Sequence, residues 1–471
     1  MKMRGSLWQV ACAAASYTFL IGSCWVLLFA VRATAQQGAP LSLPSLVSCQ
    51  RTSHPELPLR WRGIFLMLPF NKAQLMLSDI VYDGSIPAMQ IRLHGVRSGS
   101  ADFLVLGNKT YVLREEGSNH ECRELGDTGW TPLPRDWLAK SAQCVGSATI
   151  VETPVDWWKT PTDSAPLTDW IWFKSTDRSP FRLLFQKPSL SLSIMSSYAM
   201  SYQVSFDPLS QSDLSVLAES CRHAKRETQQ SPRRALRAVL DAMDLSPWRA
   251  SAEIKRLLPE LDLDCSKAPR PVWPDSFGMT MFLTPLNFHS NPFPTEVRYD
   301  WKSRAQRTRM FWPVDSPILS EDVLMVEAQG FSVTRKRAGG VQCMAALPGT
   351  PRPNWISEAP CACEAVINGT TALTPYGPVQ ILRCPATEPR MFWAWYTFEG
   401  RPMMFMVTPS SGDEPTALIT LADYYAWVPG FLSEPSVFER PAQCRTAQIT
   451  GHRQPTNEPC RLCHLTPNAP R

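Results

Sequence analysis

The stretch DFLVLGNKTYVL, residues 102–113, consists of two β-prone runs on either side of a Gly-Asn pair, which is the pattern of a β-hairpin. A stretch of the same shape, VLMVEAQGFSVT, occupies residues 323–334. The second copy begins 221 residues after the first. We therefore expect a chain of antiparallel strands in which one structural unit occurs twice.

The cysteines repeat at the same interval. Matched members of the two sets lie between 216 and 223 residues apart, which a tandem duplication with small insertions explains. Trp137 precedes Cys144, and Trp355 precedes Cys361 in the same way. This alignment therefore makes Cys361 the counterpart of Cys144 in the second repeat. The two sets are Cys49, Cys122, Cys144 and Cys221, then Cys265, Cys343, Cys361 and Cys444.

Outside the hairpins, short β-prone runs alternate with turn residues, which is typical of antiparallel sheets and barrels. The 43 prolines and 23 glycines suit a fold with many turns. The sequence therefore predicts a mainly β protein with minor α, made of two tandem antiparallel β-sheet domains. Further predicted strands are residues 89–93, 170–174, 181–186, 190–195, 199–204, 307–312, 379–383, 392–398 and 403–408.

Residues 231–261 depart from this pattern, because their apolar residues recur at helical spacing. The first helix would be capped by Ser231, and a second would be capped by Ser251 and ended by Pro259. This helical hairpin is either a linker between the domains or a cover for the first sheet, and its apolar faces favour docking. The predicted apolar stripes are Leu236, Val239, Leu240 and Met243 in the first helix and Ile254, Leu257 and Leu258 in the second.

The chain begins with an apolar run of 25 residues, 7–31, between the basic residues Lys2 and Arg4 and an Ala33-x-Ala35 cleavage pattern. This arrangement is typical of secretory targeting. The run is longer than the apolar core of most signal peptides, so a cleaved signal peptide and an uncleaved membrane anchor both stay open for residues 1–35. Either alternative places the rest of the chain outside the cell or in the secretory lumen. Membrane contact is expected only through this segment, and only if it is uncleaved.

Twelve cysteines remain beyond the targeting segment, and an even number in a secretory chain indicates disulfide bonds. Four cysteines permit three connectivities, among which the sequence does not choose. The economical expectation is that near neighbours pair and that the ends of each repeat are tied together. The expected pairs are Cys122 with Cys144, Cys343 with Cys361, Cys363 with Cys384, Cys49 with Cys221 and Cys265 with Cys444, and Cys460 and Cys463 complete the set.

Two Asn-x-Thr sequons suit the same compartment. They begin at Asn108, at the predicted tip of the first hairpin, and at Asn368. We expect both as candidate glycosylation sites, so the mature chain would be a glycoprotein.

The charge balance excludes one class of partner. Without residues 1–35 the formal charge falls from +5 to +2, so the chain has no strongly basic surface for nucleic acid. A basic run at residues 302–309 alternates like an exposed strand edge, where positive charge discourages pairing between edges. We expect no nucleic-acid partner.

Two neighbouring strands in each copy carry large, soft side chains. Trp170 and Trp172 match Trp393 and Trp395, and the i, i+2 spacing puts both rings of a pair on one face of a strand. Such a face either packs against another sheet or lines a concave surface that holds an apolar ligand. The candidate ligand-binding residues are Trp170, Trp172, Phe181, Phe185, Trp393, Trp395, Met404 and Met406.

A series of short motifs recurs in the same order in both copies. In the second copy they are Val297-Arg298-Tyr299-Asp300-Trp301, Arg307 and Arg309, Cys343, Trp395 and Gly400-Arg401-Pro402. This order resembles the LolA-like half-barrel of tandem secreted eukaryotic proteins and of the related ependymin group, over most of residues 49–221 and 265–444. The resemblance implies a strongly curved antiparallel sheet in each copy, a cavity for lipid or acyl chains, and no catalytic residues.

The expected organisation follows from these boundaries. Residues 1–35 form the targeting segment, 36–221 a first LolA-like β domain, and 222–264 the helical hairpin. Residues 265–444 form a second LolA-like β domain, and residues 445–471 form a cysteine-containing polar tail.

The tail carries a Cys-x-x-Cys-His pattern at Cys460, Cys463 and His464, which is typical of covalent haem attachment. Seven residues follow His464, too few to enclose a haem, so we expect a local disulfide bond or a truncated cysteine-rich module, no cofactor and no metal. Signatures of hydrolase elbows, zinc proteases and phosphate-binding loops are missing from the sequence, so no catalytic residue is predicted.

The favoured function is non-enzymatic binding of a lipid or another apolar ligand by the tryptophan and methionine faces. Burial of the ligand would contribute roughly 25 cal/mol per Å² of apolar surface. The alternative is an extracellular protein–protein interaction module whose sheets are packed without a cavity. A c-type haem protein is the third hypothesis.

Overall fold

The computed structural model describes residues 41–49, 54–69, 75–95, 99–116, 119–128, 132, 142–161, 168–185, 199–224, 232, 247–285, 291–312, 316–326, 328–346, 361–369, 374–385, 390–409 and 420–444. The predicted targeting segment lies outside these ranges, as do the predicted strand at residues 190–195 and nearly all of the first predicted helix. The tail with Cys460, Cys463 and His464 also lies outside them.

Two large antiparallel sheets make up most of the described chain, which confirms the prediction of a mainly β protein with minor α. Strands β1 to β11 form the first sheet, and β12 to β23 form the second. The first set is β1 Arg60–Pro69, β2 Met76–Asp83, β3 Ala88–Gly95, β4 Ser100–Leu106, β5 Lys109–Glu116, β6 Asn119–Gly126, β7 Gln143–Ile150, β8 Thr153–Pro161, β9 Thr168–Lys174, β10 Pro180–Phe185 and β11 Ala199–Pro208. The second set is β12 Leu261–Asp262, β13 Ser276–Pro285, β14 Phe293–Asp300, β15 Ala305–Phe311, β16 Ile318–Val326, β17 Gln329–Lys336, β18 Val341–Ala346, β19 Ala362–Ile367, β20 Val379–Pro385, β21 Arg390–Thr397, β22 Pro402–Pro409 and β23 Thr420–Pro429.

The two sheets share one strand order. The first runs β6-β5-β4-β3-β2-β1-β11-β10-β9-β8-β7, and the second runs β18-β17-β16-β15-β14-β13-β23-β22-β21-β20-β19-β12. Each strand of the first sheet therefore has a counterpart twelve labels later in the second. The short β12 has a counterpart as well, because Val47 forms an isolated bridge with Ser147 in β7 as β12 does with β19. The predicted duplication is present strand for strand.

Both predicted hairpins are present. Strands β4 and β5 pair across the two-residue loop of Gly107 and Asn108, and β16 pairs with β17 in the same way. Gly107 has a φ of 57°, a conformation that glycine adopts without a steric cost. The Gly-Asn pair in the sequence therefore marks a real turn.

The described residues contain five disulfide bonds, and their number indicates an extracellular or secretory-pathway protein. The five pairings expected within the repeats are wrong, and the bond expected between Cys460 and Cys463 lies outside the described residues. Both repeats contain the same two bonds, so the counterpart of Cys144 is Cys363 and not Cys361. The bonds are Cys49–Cys144 and Cys122–Cys221 in the first repeat, Cys265–Cys363 and Cys343–Cys444 in the second, and Cys361–Cys384 in the second alone.

The strand order explains why near neighbours do not pair. Cys122 lies on β6 and Cys144 on β7, which form opposite edges of the first sheet although they are consecutive in the chain. Each bond of the first repeat instead ties an edge strand to a segment at one end of the repeat. Cys49 precedes β1, and Cys221 lies on helix α1, Leu214–Arg222, which follows β11. In a chain-entropy model, each such closure of a loop of about 100 residues stabilises the fold by roughly 4–5 kcal/mol.

Each sheet buries apolar residues on both faces. The inner face of the first sheet carries Phe65, Phe103 and Phe173 in one core with residues of β1 to β6 and β8 to β10. Strands so far apart in the order share a core only if the sheet curves round on itself. The outer face packs against helix α1 over β3 to β5 and against the second repeat elsewhere. The second sheet has an equivalent inner core.

The second predicted helix is α2, Pro247–Leu257. Ser251 lies inside this helix and is therefore not its cap. The predicted stripe of Ile254, Leu257 and Leu258 is buried in the core that the two sheets share. This helix is therefore docked on the fold. Among the described residues, no helix is long and apolar enough to cross a membrane.

The basic run at residues 302–309 is not at a sheet edge. Most of it forms β15, which pairs with β14 on one side and β16 on the other. The guanidinium groups of Arg307 and Arg309 donate to the carboxylate of Asp322, which is 2% exposed. The alternation in the sequence reflects a cross-strand ion-pair cluster and not a protected edge.

His94 on β3 lies against helix α2 and is 4% exposed. Neither ring nitrogen has a hydrogen-bond partner within the described part of the chain. Burial lowers the pKa of His94, and the charges of Arg92 and Arg256 act in the same direction. The carboxylates of Asp79 and Glu253 oppose this effect without reversing it.

His94 should make the stability of the protein depend on pH. The unfolded chain takes up a proton near the ordinary value of about 6.5, which the folded state resists, so the free energy of unfolding should fall as the pH drops below about 6.5. His94→Leu should reduce this dependence below about pH 6.5, whereas replacement of an exposed histidine, His223→Gln, should leave it unchanged. Thermal unfolding at several pH values measures the effect. An unchanged slope in His94→Leu would show that His94 does not contribute.

The disulfide connectivity can be checked directly. Proteolysis of the unreduced protein followed by mass spectrometry should recover Cys49 linked to Cys144 and Cys122 linked to Cys221, with the matching pairs in the second repeat. A peptide linking Cys122 to Cys144 would contradict the placement of β6 and β7 on opposite edges of the sheet.

Candidate functional site at the junction of the repeats

The outer faces of the two sheets meet at a junction, and the predicted ligand-binding residues lie in it. The two tryptophan pairs are on β9 and β21, which occupy equivalent places in the two sheets. Each described member of the predicted set is at most 3% exposed in a single shared core. The side chain of Phe185 lies outside the described residues. The members in the core are Trp170, Trp172, Phe181, Trp393, Trp395, Met404 and Met406.

Aromatic rings from the two repeats contact each other across the junction. The ring of Tyr202 on β11 lies 4.8 Å from that of Trp395, measured between centroids. Trp157 on β8 meets Phe282 on β13 edge-on, with centroids 5.2 Å apart. Of the two alternatives for these faces, packing against another sheet is the arrangement in the structure.

An ion pair joins the two repeats inside this core. The guanidinium of Arg182 on β10 donates to both carboxylate oxygens of Asp423 on β23, at 2.9 and 2.8 Å. The side chains are 1% and 2% exposed. The guanidinium carbon also lies 4.7 Å from the ring centroid of Tyr202 and 5.3 Å from that of Trp172. This planar, two-pronged contact fixes one relative position of β10 and β23.

Sequence reasoning missed this pair. Arg182 stands in the apolar strand PFRLLF, and a charge within such a run is the signal that could have found it. Burial alone would lower the pKa of Arg182, but the charge of Asp423 outweighs burial and raises it. Burial also raises the pKa of Tyr202 well above its ordinary value, so its hydroxyl stays protonated. The junction therefore holds its charge as a neutralised pair.

A cavity of about 10 Å³ lies beside the ion pair, between Phe181, Met404 and Trp395. Among the described residues, no hydrogen-bond partner meets the Nε of Arg182, the hydroxyl of Tyr202 or the Nε1 of Trp395, which also line this cavity. A cavity of this size is at the lower limit for holding one water molecule, to which these groups would hydrogen-bond. It is far smaller than the roughly 300 Å³ or more of typical ligand sites.

Both sequon asparagines are exposed. Asn108 is in the β4–β5 hairpin loop, and Asn368 directly follows β19. Their exposure is compatible with a glycan, and glycosylation of both residues stays a prediction.

No family model and no curated protein matches the chain. Solved structures with distant similarity include an uncharacterized conserved protein from Thermus thermophilus, with 12% identity, 37% of this chain and 89% of that chain covered, and a TM-score of 0.26. PNGF-II has 8% identity, with 79% of this chain and 66% of that chain covered and a TM-score of 0.19. Transferrin Binding Protein B from Haemophilus parasuis has 7% identity, with 80% and 77% covered and a TM-score of 0.12. TM-scores this low support no conclusion about the fold or the function of this chain.

Removing one member of the buried pair should destabilise the protein strongly. Asp423→Leu leaves the guanidinium of Arg182 buried without its partner, so we expect a loss of about 3–5 kcal/mol in the free energy of unfolding. The double variant Arg182→Met with Asp423→Leu should recover most of this loss. Urea unfolding with the disulfide bonds intact measures both variants.

The exposed pair of Arg222 and Glu219 on helix α1 provides the control, since Arg222→Met should change stability little. If Asp423→Leu behaved like this control, the buried pair would not be holding the repeats together.

Proposed function

We propose that the chain is a non-enzymatic binding module of the secretory pathway or the extracellular space, and that it acts through its exposed surface on a protein partner. The observation that carries the proposal is the burial of the tryptophan and methionine faces against each other. The targeting pattern of residues 1–35 and the five disulfide bonds support the compartment. In this proposal residues 1–35 direct export and are then removed.

The ion pair supports a closed junction. Carbon atoms touch at about 3.5–4.0 Å, so an acyl chain inserted between the sheets would hold the two faces about 7 Å apart or more. Arg182 and Asp423 bond at 2.8–2.9 Å across the same junction and would be separated. One buried charge without its partner already costs about 3–5 kcal/mol, so separation of the pair opposes lipid entry.

The polar groups of the junction support a non-enzymatic role. Both oxygens of Asp423 accept hydrogen bonds from Arg182, so this carboxylate is engaged in the contact between the repeats. The hydroxyl of Tyr202 is held protonated by burial. These groups serve the contact between the repeats.

Lipid extraction tests the proposal. An organic extract of the purified mature protein should contain no stoichiometric lipid by mass spectrometry, and the protein should show no saturable binding of a fluorescent fatty acid. Trp395→Ala is the positive control, because a large-to-small change in this core opens a void that small apolar probes can enter. Benzene should therefore bind to Trp395→Ala and not to the unchanged protein.

The opposite result supports a different function. A stoichiometric lipid in the extract of the unchanged protein would overturn the closed module in favour of the sequence-based prediction of lipid binding. An intense Soret band that survives acid-acetone treatment would favour the haem hypothesis for Cys460, Cys463 and His464. Cross-linking on the outside of intact cells should recover a protein partner if the proposal holds.

A further inference from the structure

A cavity of about 330 Å³ lies at the junction, where β7 and β8 of the first repeat approach β23 of the second. Its walls include Ser147, Asp156 and Ser175 from the first repeat and Phe282 and Tyr425 from the second. This volume is at the lower end of the range for small-molecule sites, roughly 300–1,000 Å³. The cavity is therefore large enough for a small ligand that touches both repeats.

Asp156 is the one charged residue among the described residues that line this cavity. Its Oδ1 accepts hydrogen bonds from the hydroxyls of Ser147, at 2.5 Å, and Ser175, at 3.0 Å. Its Oδ2 accepts none from the described residues, and no lysine, arginine or histidine in that part of the chain forms an ion pair with it. Two serines thus hold the carboxylate in place, and no cationic side chain in the described part of the chain pairs with it.

The second repeat shows that the fold does not require this charge. The register of β19 and β20 places Gln380 where Asp156 stands and Val366 where Ser147 stands. Gln380 is 2% exposed, and its amide nitrogen donates to the carbonyl of Pro269 at 2.6 Å. A neutral side chain therefore satisfies the same strand pairing. The carboxylate belongs to the first repeat alone.

Two aromatic rings complete the cavity. Tyr425 is 42% exposed, and Phe282 is fixed by its edge-on contact with Trp157. The faces of such rings attract cations, and the attraction is stronger where water is partly excluded. Among the described residues, no group of three His, Cys, Asp or Glu side chains gathers, so the surroundings suit an organic cation better than a metal ion.

We propose that this cavity binds a small organic ammonium group, with Asp156 neutralising its charge and Tyr425 and Phe282 covering its apolar surface. The hydroxyls of Ser147 and Ser175 hold the carboxylate towards one side, so Oδ2 is the oxygen that receives the ligand. This inference does not depend on the closed-module proposal, because the two concern different cavities and can fail separately.

Calorimetric titration with choline tests the site, and 3,3-dimethyl-1-butanol provides a ligand of nearly the same shape without the charge. Choline should bind with one site per chain, and the neutral alcohol should bind at least about tenfold more weakly. Raising the salt concentration should weaken choline binding, since the attraction is between charges. Asp156→Asn should reduce choline affinity at least about tenfold, and Tyr425→Ala should reduce it severalfold.

Asp213→Asn is the matched control. It removes the same charge at an exposed position where the side chain makes no capping bond, and it should leave choline binding unchanged. Unfolding curves show whether each variant is folded. If Asp156→Asn does not fold, Tyr425→Ala still tests the site. Equal affinity for choline and the neutral alcohol would overturn the proposal. So would undiminished binding by Asp156→Asn, or no binding of choline at about 10 mM, where even a weak site would fill.

Discussion

The ion pair between Arg182 and Asp423 constrains how the two sheets of this protein meet. Both side chains are almost fully buried, and neither would be tolerated in an apolar core without the other. Because the contact is two-pronged, it selects one alignment of β10 against β23. The tryptophan and methionine faces and the apolar stripe of helix α2 lie in the single core that the two sheets share.

The disulfide bonds solve a different problem, which is the protection of the sheet edges. An edge strand with unpaired backbone groups is open to pairing with other chains. In the first repeat, one bond ties edge strand β7 to the segment before β1, and the other ties edge strand β6 to the segment after β11. The second repeat has the equivalent two bonds, with the short β12 lying beyond β19. The bonds therefore close each sheet at both ends, while the Arg182–Asp423 pair joins the sheets to each other.

Duplication gave the two repeats the same frame, and the differences between them carry the specific chemistry. The second repeat alone has the bond between Cys361 and Cys384. The first repeat alone has a carboxylate at the position of Asp156, where the second repeat has the buried and hydrogen-bonded Gln380. Where a residue differs between the two repeats and the fold does not require the difference, that residue is a candidate for a functional role. Comparison of the two repeats identifies such residues.

Much of the frame follows from the sequence. The hairpin at residues 102–113, the doubled cysteines and the i, i+2 tryptophans report backbone periodicity and turn chemistry, which are local properties. The disulfide pairing could not be read in this way, since Cys122 and Cys144 are near in sequence and lie on opposite edges of the sheet. The aromatic faces were recognisable as faces, but their spacing is the same whether they meet a ligand or another sheet.

The sequence by itself thus determined that the protein is mainly β, that it is built twice, and that its cysteines suit an oxidising compartment. Only the tertiary structure decided which cysteines pair, what covers Trp172 and Trp395, and which charges are neutralised. The reason is that strand order and sheet packing bring together residues such as Arg182 and Asp423, which are 241 positions apart. A short sequence pattern does not predict a contact between residues so far apart. The residue types and their alternation within each strand, by contrast, can be read directly from the sequence.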